Sequence, residues 1–337
     1  MSGPNMDSLS IHCSWMVLLI VLSVGLPFVD ADAVAWNYNR SSLGGPDKWS
    51  VEYPDCGGVM QSPISISTED ALYDPKLSYF NLTNYNMTKG VNMTLVNKGG
   101  HTAEVLYSGS DVLLSGGNLP DTYKLVQFHF HWGGKDSNGS EHLIDGKYFP
   151  MELHLVHYRS HLPNISVAQS HPFGLAVLGF LFERSEKNNT KFDQLLQHFD
   201  RIETVEPNKD NSTEIKTFPL LDLLPGNTDR LDFYRYDGSL TTPPCYESVI
   251  WSLATEYIQI SEYQLNIFRN LYNEEHQHLV DDFRPVQELH KRTVTTTKSK
   301  PTQAPLTTGN SNNSATWIQG YLVNVCICLM TVLYKFV

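Results

Sequence analysis

The chain has 337 residues, enough for one large domain with additional terminal segments. Its formal net charge of −12 at pH 7 argues against a nucleic-acid-binding protein and favours solubility. Gly and Pro are frequent, apolar runs are short and rich in β-branched and aromatic residues, and long helical periodicities are few. These features predict a mostly β fold with short helices, of the α+β class.

The N-terminal segment predicts entry into the secretory pathway. The apolar run from Trp15 to Leu26 is too short to span a bilayer, and Ala31-Asp32-Ala33 is a small-x-small cleavage pattern. We therefore interpret residues 1–33 as a signal peptide, with the cleavage position open by a few residues because no Lys or Arg precedes the run. Secretory entry agrees with the sequons at Asn39, Asn81, Asn86, Asn92, Asn138, Asn164, Asn188, Asn211 and Asn312.

Two strand-like segments carry the histidines of a predicted metal site. In QFHFHW, residues 127–132, alternation places the glutamine and both histidines on one face of a strand. In ELHLV, residues 152–156, it places the glutamate, the histidine and the valine together. An HxH pair alone is more often two half-exposed histidines, and the second segment is what favours metal. His129, His131 and His154 without a fourth protein ligand are typical of catalytic zinc, whose open position holds water.

Four motifs, QFHFHWG, GSEH, ELHLVHY and YDGSLTTPPC, occur in this order, and together they resemble the α-carbonic anhydrase family. The similarity starts at Trp36-Asn37-Tyr38, passes through Gln61-Ser62-Pro63-Ile64 and ends near Phe283-Arg284-Pro285-Val286-Gln287, about three quarters of the chain. The resemblance implies a single domain, residues 34–292, around a large, mostly antiparallel, twisted central sheet. It also implies one Zn²⁺ per chain, while the negative net charge argues against a nucleic-acid partner.

The resemblance further implies reversible hydration of CO2, in which zinc-bound hydroxide attacks CO2 and gives bicarbonate and a proton. A ligand histidine needs its second nitrogen held by a partner. Gln127 is placed to accept from His129, and Glu152 from His154. His131 has no side-chain partner in the motif, so we expect a backbone carbonyl there.

Around the predicted zinc, the resemblance assigns Thr241 as a gate that accepts from the hydroxide and donates to Glu141. Thr242 is expected to line the same pocket and to contact bicarbonate. Primary sulfonamides and small anions are the expected inhibitors, since the gate selects ligands that donate a proton. Read alone, Glu141 would be a solvated loop acid and the apolar positions would be ordinary core. The expected CO2-binding wall is Val156, Val177, Leu240, Val249 and Trp251.

His101 matches the proton-shuttle position of the family, where a histidine of near-neutral pKa passes protons to solvent. A lone loop histidine is otherwise usually just solvated. Tyr38 is a candidate for the water network between metal and shuttle. Two departures stand beside this position: Gly99-Gly100 replaces the commoner Asn-Gly, and Glu104 stands where Asn or Gln is usual. We expect the acid to raise the pKa of His101.

Three other functions are compatible with parts of the pattern. A recognition module of the same fold would have lost one or more zinc ligands, and all three histidines persist here. A zinc esterase could use the same activated water, although a wall of valines leaves little room for bulk. A zinc peptidase is disfavoured because no HExxH motif occurs.

Cys56 and Cys245 remain in the domain after the signal segment and the C-terminal apolar run are set aside. Two lone cysteines in a secreted chain most simply pair, the alternative being two buried free thiols. The resemblance points to the same disulfide, because extracellular members often bridge these positions. Such a bridge stabilises by about 3–5 kcal/mol in the chain-entropy model.

The C-terminal third holds one strong helix candidate and a tail. The helix is predicted from Ser261, an N-cap, to Tyr272, with Gln264 completing a capping box. Residues 293–316 are rich in Thr, Ser, Pro and Lys and predict a solvated stalk.

The final segment, residues 317–337, is largely apolar. We interpret it as a glycosylphosphatidylinositol signal, with attachment among the small residues of Gly309–Ser314. The alternative is a single transmembrane helix, which usually has basic residues just beyond its cytoplasmic end, whereas only Lys335 is near. The expected location is the extracellular face of the plasma membrane.

Overall fold

The structure is a computed structural model that describes residues 35–207, 209–226 and 228–299. The predicted signal peptide, the C-terminal apolar run and the attachment region Gly309–Ser314 lie outside the described residues. Within the part of the chain that is described, no helix is long and apolar enough to cross a membrane.

Strands provide most of the regular structure, as the short β-branched runs predict. In the described residues the strands are β1 (Ser65–Ile66), β2 (Leu72–Tyr73), β3 (Phe80–Thr83), β4 (Val91–Asn97), β5 (Ala103–Gly109), β6 (Leu113–Gly116), β7 (Tyr123–Trp132), β8 (Leu143–Ile144), β9 (Met151–Arg159), β10 (Leu175–Ser185), β11 (Asn211–Ile215), β12 (Phe233–Gly238), β13 (Val249–Ala254), β14 (Ile258–Ser261) and β15 (Thr295–Thr296). The α-helices there are α1 (Trp49–Glu52), α2 (Ile165–Ala168), α3 (Asp193–Leu196) and α4 (Glu262–Arg269). The 3-10 helices are Pro46–Lys48, Pro54–Gly57, Thr190–Phe192, Phe199–Ile202, Leu220–Leu223 and Thr228–Arg230.

One large sheet dominates the molecule, with strand order β11-β4-β5-β7-β9-β10-β13-β12-β15-β2. Neighbours from β11 through to β10 are antiparallel, as expected, but β10 pairs in parallel with both β13 and β14. The sheet is therefore mixed rather than strictly antiparallel. Strand β10 is long enough to pair with β13 along Leu175–Gly179 and with β14 along Phe182–Ser185.

The two faces of the sheet have different environments, and strand β9 shows why. Its odd-numbered leucines, Leu153 and Leu155, join a large apolar core on one face. Val156 joins a second, smaller cluster on the other face, and Glu152 and His154 are buried on that same side. Because side chains alternate along a strand, the polar set can converge on one surface while the leucines pack on the other.

Helix α4 confirms the predicted capping box. Ser261 Oγ accepts the N–H of Gln264 at 3.1 Å, and Gln264 Oε1 accepts the N–H of Ser261 at 3.4 Å. The predicted end at Tyr272 is too late, since the helix ends at Arg269. The N–H of Tyr272 donates instead to the Glu203 carbonyl at 2.8 Å, a tertiary contact that takes the chain out of the helix.

The ordered domain continues past residue 292, where the stalk was expected to begin. Strand β15 pairs with β12 and with β2, and Val294 is buried. Because this stretch is polar, the sequence did not predict the short strand β15, which pairs near one edge of the sheet.

The predicted disulfide is present. Cys56 and Cys245 are bonded, with their Cα atoms 4.8 Å apart. They form a small buried cluster with Trp49, against which Trp36 and Tyr38 pack. The bond thus joins the N-terminal segment to the loop that carries Thr241.

Candidate metal centre and active site

The three histidines of the sequence motifs come together because β7 and β9 are adjacent and antiparallel. In their register, His129 lies opposite His154 and His131 lies opposite Glu152. The ring centroids of His129, His131 and His154 are 4.8–5.1 Å apart in each pairing. One nitrogen from each ring lies within 4.8 Å of the others, the spacing of a single metal site.

Each ring has its outer nitrogen engaged by a partner of the expected kind. His129 Nδ1 contacts Gln127 Oε1 at 2.8 Å, and His154 Nε2 contacts Glu152 Oε1 at 2.8 Å. His131 Nδ1 donates to the backbone carbonyl of Asp282 at 2.7 Å. These contacts fix the tautomers and leave one nitrogen of each ring facing its neighbours.

The inward-facing nitrogens are the Nε2 atoms of His129 and His131 and the Nδ1 atom of His154. His131 Nε2 is buried and has no hydrogen-bond partner among the described residues. His129 Nε2 and His154 Nδ1 lie 3.2 Å apart. An orphaned buried nitrogen beside two others, with no thiolate or carboxylate in the set, fits zinc bound by three neutral imidazoles. Burial lowers the pKa of His131 and holds the pKa of His129 well below its usual value, so both remain neutral.

Glu152 does more than hold His154. Its Oε1 also contacts His142 Nδ1 at 2.7 Å, and its Oε2 accepts the N–H groups of Glu141 and His142 at 2.9 and 2.8 Å. Burial opposes ionisation, but the contacts with His142 and His154 hold the pKa of Glu152 well below its usual range. A carboxylate that accepts from four donors is held in one orientation, and it therefore holds the ring of His154 in one orientation too.

His142 lies directly behind the metal centre, where it was expected to pack structurally. Its Nε2 atom contacts Tyr236 Oη at 2.6 Å, and Tyr236 donates to Ser62 Oγ at 2.9 Å. Ser62 Oγ in turn accepts the N–H of Ser239 at 3.0 Å. Sequence reasoning missed Tyr236 and Ser62, which connect the site to the segment leading into Thr241.

Glu141 is fully buried, which excludes a solvated loop acid. Its Oε1 accepts the N–H of Arg284 at 2.9 Å, and its Oε2 lies 3.5 Å from His131 Nε2. Because Oε2 has no hydrogen-bond partner among the described residues, the expected hydrogen bond from Thr241 does not reach that oxygen. Thr241 itself is buried and lines the cleft with the three histidines.

The site opens into a cleft of about 590 Å³. All five residues predicted as the apolar wall line it, and Thr242 lines it too. The polar residues that line the cleft include Gln127, Lys98, Glu104 and His101. A cleft with both apolar and polar lining suits a small uncharged ligand whose reaction releases a proton. The wall residues are Val156, Val177, Leu240, Val249 and Trp251.

His101 lies at the cleft and stacks on Trp36, with ring centroids 3.9 Å apart and planes 16° apart. Burial lowers the pKa of His101, whereas Glu274 and Asp210 act to raise it. Glu104 lines the same cleft, and its effect on the pKa of His101 stays a prediction. Burial raises the pKa of Glu104 itself to about 7, and Glu104 interacts with Lys98 and Asp210.

Tyr38 also lines the cleft, as its predicted place in the water network requires. Burial, with the nearby carboxylates of Glu141 and Asp282, raises the pKa of Tyr38 well above its usual value. The phenol therefore stays neutral and can donate a hydrogen bond.

The chain is similar to known proteins over most of its length. Residues 44–298 match the model of the eukaryotic-type carbonic anhydrase family. Carbonic anhydrase 6 of Bos taurus is 36% identical over 264 residues, covering 77% of this chain and 79% of the relative. Carbonic anhydrase 12 of Homo sapiens is 33% identical over 299 residues, covering 86% and 81%. Carbonic anhydrase 7 of Mus musculus is 38% identical over 266 residues, covering 77% and 96%.

Proposed function

The chain belongs to the eukaryotic-type carbonic anhydrase family, and from this premise we propose that it acts at the outer cell surface with His101 as its proton exit. As a member of the family it is a carbonate dehydratase that uses one zinc to hydrate CO2 reversibly to bicarbonate and a proton. The observation that carries this function is the convergence of His129, His131 and His154, each with its outer nitrogen already occupied.

Zinc, when bound by these three nitrogens, supplies the Lewis acidity that makes water a nucleophile near neutral pH, and carbonic anhydrase is itself the standard example of this effect. The protein's part is to keep the ligands neutral and fixed. Neutral imidazoles leave the full charge of the metal available. Gln127, Glu152 and the Asp282 carbonyl fix the ring orientations, so that no reorganisation is needed during turnover.

CO2 carries no charge, so its binding depends on a small apolar surface beside the metal. The buried residues of that surface are Val156, Val177, Val249 and Trp251, and the partly buried Leu240 completes it. Thr241 lines the same cleft, which supports a role for its hydroxyl in orienting the attacking water and in rejecting ligands that cannot donate a proton. Thr242 lines it too, which supports a contact with the bicarbonate product.

The proton must leave the enclosed site once per turnover. Tyr38, as a neutral phenol, is suited to ordering water between the metal centre and His101. His101 then accepts the proton on one ring nitrogen and releases one from the other to buffer.

Stopped-flow CO2 hydration by the purified protein, with and without a zinc chelator, tests the function. The His154→Ala variant is expected to lose most of its zinc and nearly all hydration. His161→Ala, an exposed histidine outside the cleft, is the matched control and should behave as the unaltered protein. Full activity in His154→Ala would overturn the ligand assignment.

Surface location is supported by three features. The disulfide between Cys56 and Cys245 requires an oxidising compartment. The N-terminal segment has the pattern of a signal peptide, and sequons such as Asn39, Asn81 and Asn92 are exposed. The protein is accordingly an N-glycosylated enzyme of the secretory pathway.

The attachment to the membrane is a glycosylphosphatidylinositol anchor within Gly309–Ser314, with residues 317–337 removed. Small residues, a polar spacer and an apolar run in this order support it. Phosphatidylinositol-specific phospholipase C should release active enzyme from intact cells. Activity that stays on the cells, on protein that mass spectrometry finds to retain Cys326 and Cys328, would establish a transmembrane helix instead.

A further inference from the structure

The turn between β4 and β5, which carries His101, is packed tightly against the chain that follows α4. Asn97 Nδ2 donates to the Tyr272 carbonyl at 3.0 Å, and Asn97 Oδ1 accepts the N–H of Gly100 at 3.1 Å. Gly100 has φ 72°, and a Cβ on it would lie 2.7 Å from the backbone nitrogen of Glu274. The absence of a side chain at Gly100 is what lets Glu274 approach the turn so closely.

Two carboxylates lie near the imidazole at this turn. The position that a Cβ would take on Gly99 lies 3.5 Å from His101 Cδ2, 3.9 Å from Asp210 Oδ1 and 3.9 Å from Glu274 Oε1. Three groups from three separate parts of the chain thus surround one point. Sequence analysis assigned a role to neither Asp210 nor Glu274.

The other groups around His101 include two aromatic rings, a lysine paired with Asp210 and a third acid, Glu104. Trp36 covers one face of the ring, and Tyr38 meets it edge-on with centroids 6.3 Å apart. Lys98 is paired with Asp210 at 2.6 Å, which offsets part of the charge of Asp210. The charged or titratable side chains that line the cleft around His101 are Tyr38, Lys98, Glu104, Lys209, Asp210 and Glu274.

We propose that Glu274, assisted by Asp210, is a positioning residue for proton export, whose negative charge stabilises the protonated imidazole of His101 at the cleft mouth. The inference rests on the proposed role of His101 as the shuttle. Each cycle forms one N–H bond on His101 when a proton arrives from the site and breaks one N–H bond when buffer removes a proton. The carboxylates favour the first event and take no proton themselves.

The need for such charges follows from where the ring lies. Stacking on Trp36 and burial remove water from the imidazolium and so lower the pKa of His101. A ring that is too weak a base would accept the proton poorly and slow export. Both carboxylates raise the pKa of His101, and Glu274 raises it more than Asp210 does. This order agrees with the ion pair between Asp210 and Lys98, which offsets part of the charge of Asp210.

The test uses the zinc-loaded protein with Glu274→Gln, Glu274→Asp and Glu275→Gln. Glu275 is the exposed acid next in the chain and does not line the cleft, which makes it the matched control. The readouts are the pKa of His101 by NMR, and the pH profile of kcat in dilute and in concentrated imidazole buffer. Zinc content and kcat/KM report whether the metal centre is intact.

We expect Glu274→Gln to lower the pKa of His101 by about half a unit to one unit, as loss of one nearby charge in a partly screened site should. The value of kcat in dilute buffer should fall severalfold, kcat/KM should hold, and concentrated imidazole should restore the rate. Glu274→Asp should retain most of the unaltered behaviour, and Glu275→Gln all of it.

An unchanged pKa of His101 in Glu274→Gln would overturn the inference, whether or not the rate falls, because a merely structural role would leave the pKa in place. The proposed shuttle fails in a different way. If His101→Ala leaves the dilute-buffer rate unchanged, His101 is not the shuttle, and the inference falls with it. The two failures therefore give distinct results.

Discussion

Glu152 and His154 lie two residues apart on one strand and share a 2.8 Å hydrogen bond between Oε1 and Nε2. Since side chains two apart point the same way, the strand itself sets this contact. The carboxylate is fixed from behind by the backbone N–H groups of Glu141 and His142. The ring of His154 is consequently oriented before metal binds, with Nδ1 facing His129.

Replacing Glu152 by Gln should weaken zinc binding by about 10- to 100-fold, the usual cost of losing an outer-shell partner of a metal-bound histidine. The amide keeps the shape but loses the charge, and it offers an N–H group to atoms that are themselves donors. Zinc affinity is measured by competition with a chelator. The exposed acid Glu186 gives the control Glu186→Gln, and equal affinities in both variants would contradict the prediction.

Replacing Thr241 by Val should slow CO2 hydration and weaken primary sulfonamides by roughly 10- to 100-fold, the size of a lost hydrogen bond to a charged group. Valine fills the same volume, so the buried site should stay packed. Inhibition constants from stopped-flow assays compare the two proteins. Thr255→Val, at a half-buried threonine outside the cleft whose hydroxyl oxygen is buried, is the matched control. Undiminished inhibition would mean that the gate lies elsewhere.

Replacing His101 by Ala should slow turnover in dilute buffer on the order of 10- to 100-fold, because water must then carry the proton out unaided. Concentrated imidazole-type buffer should restore most of the rate by entering the cleft beside Trp36. The test is to measure the CO2 hydration rates of the unaltered protein and of His101→Ala as a function of buffer concentration. A rate that responds to neither change would show another exit.

His157 lies outside the metal site, and we predict that it makes the free energy of unfolding depend on pH. It is fully buried, its Nδ1 contacts the Ala176 carbonyl at 3.1 Å, and Tyr85 Oη lies 2.6 Å from its Nε2. Burial lowers the pKa of His157 to about 4. An unfolded histidine has a pKa of ~6.5, so between the folded and unfolded pKa values the unfolded state binds one proton more than the folded state.

The stability that neutral His157 provides is thus fully present above pH ~6.5 and is lost as the pH falls through the folded value, on the order of 3 kcal/mol in total. In zinc-free protein, His157→Gln should flatten the slope of unfolding free energy against pH in this window, by up to one proton. The exposed His171→Gln serves as control. Identical slopes for the unaltered protein and His157→Gln would refute the assignment.

Glycan occupancy should differ between two sequons. Asn211 Nδ2 donates to the carbonyls of Arg201 and Thr204 at 3.1 and 2.8 Å, and a sugar on that nitrogen would break both contacts. Asn92 is exposed on β4. We expect secreted protein to be modified at Asn92 and bare at Asn211. Peptide mass spectrometry after enzymatic deglycosylation in heavy-oxygen water tests this, and an occupied Asn211 would contradict it.

The metal ligands could be predicted from sequence because their geometry is local. Strand alternation alone places His129 beside His131 and Gln127 beside His129, and the same holds for Glu152 and His154. The mostly β fold, the capping box and the disulfide could likewise be predicted from short sequence patterns or from residue counts.

The remaining parts of the site depend on contacts between residues far apart in the chain. The Asp282 carbonyl that holds His131 lies 151 residues away, and backbone carbonyls carry no sequence signature. The path from His142 through Tyr236 to Ser62 and the stacking of Trp36 on His101 arise only when separate segments fold together. The parallel pairing of β10 with β13 could not be predicted for the same reason.

The disulfide has a consequence for the timing of biosynthesis. Cys56 and Cys245 are 189 residues apart, so at roughly 5–20 residues per second the first thiol waits about ten to forty seconds for its partner to be translated. By then β1 to β12 have been made, whereas β13, which lies between β10 and β12, has not. The disulfide-linked cluster that joins Trp36 and Tyr38 to the Thr241 loop is therefore among the last parts of the enzyme to form. Because thiols pair only in an oxidising compartment, that closure is tied to export from the cytosol.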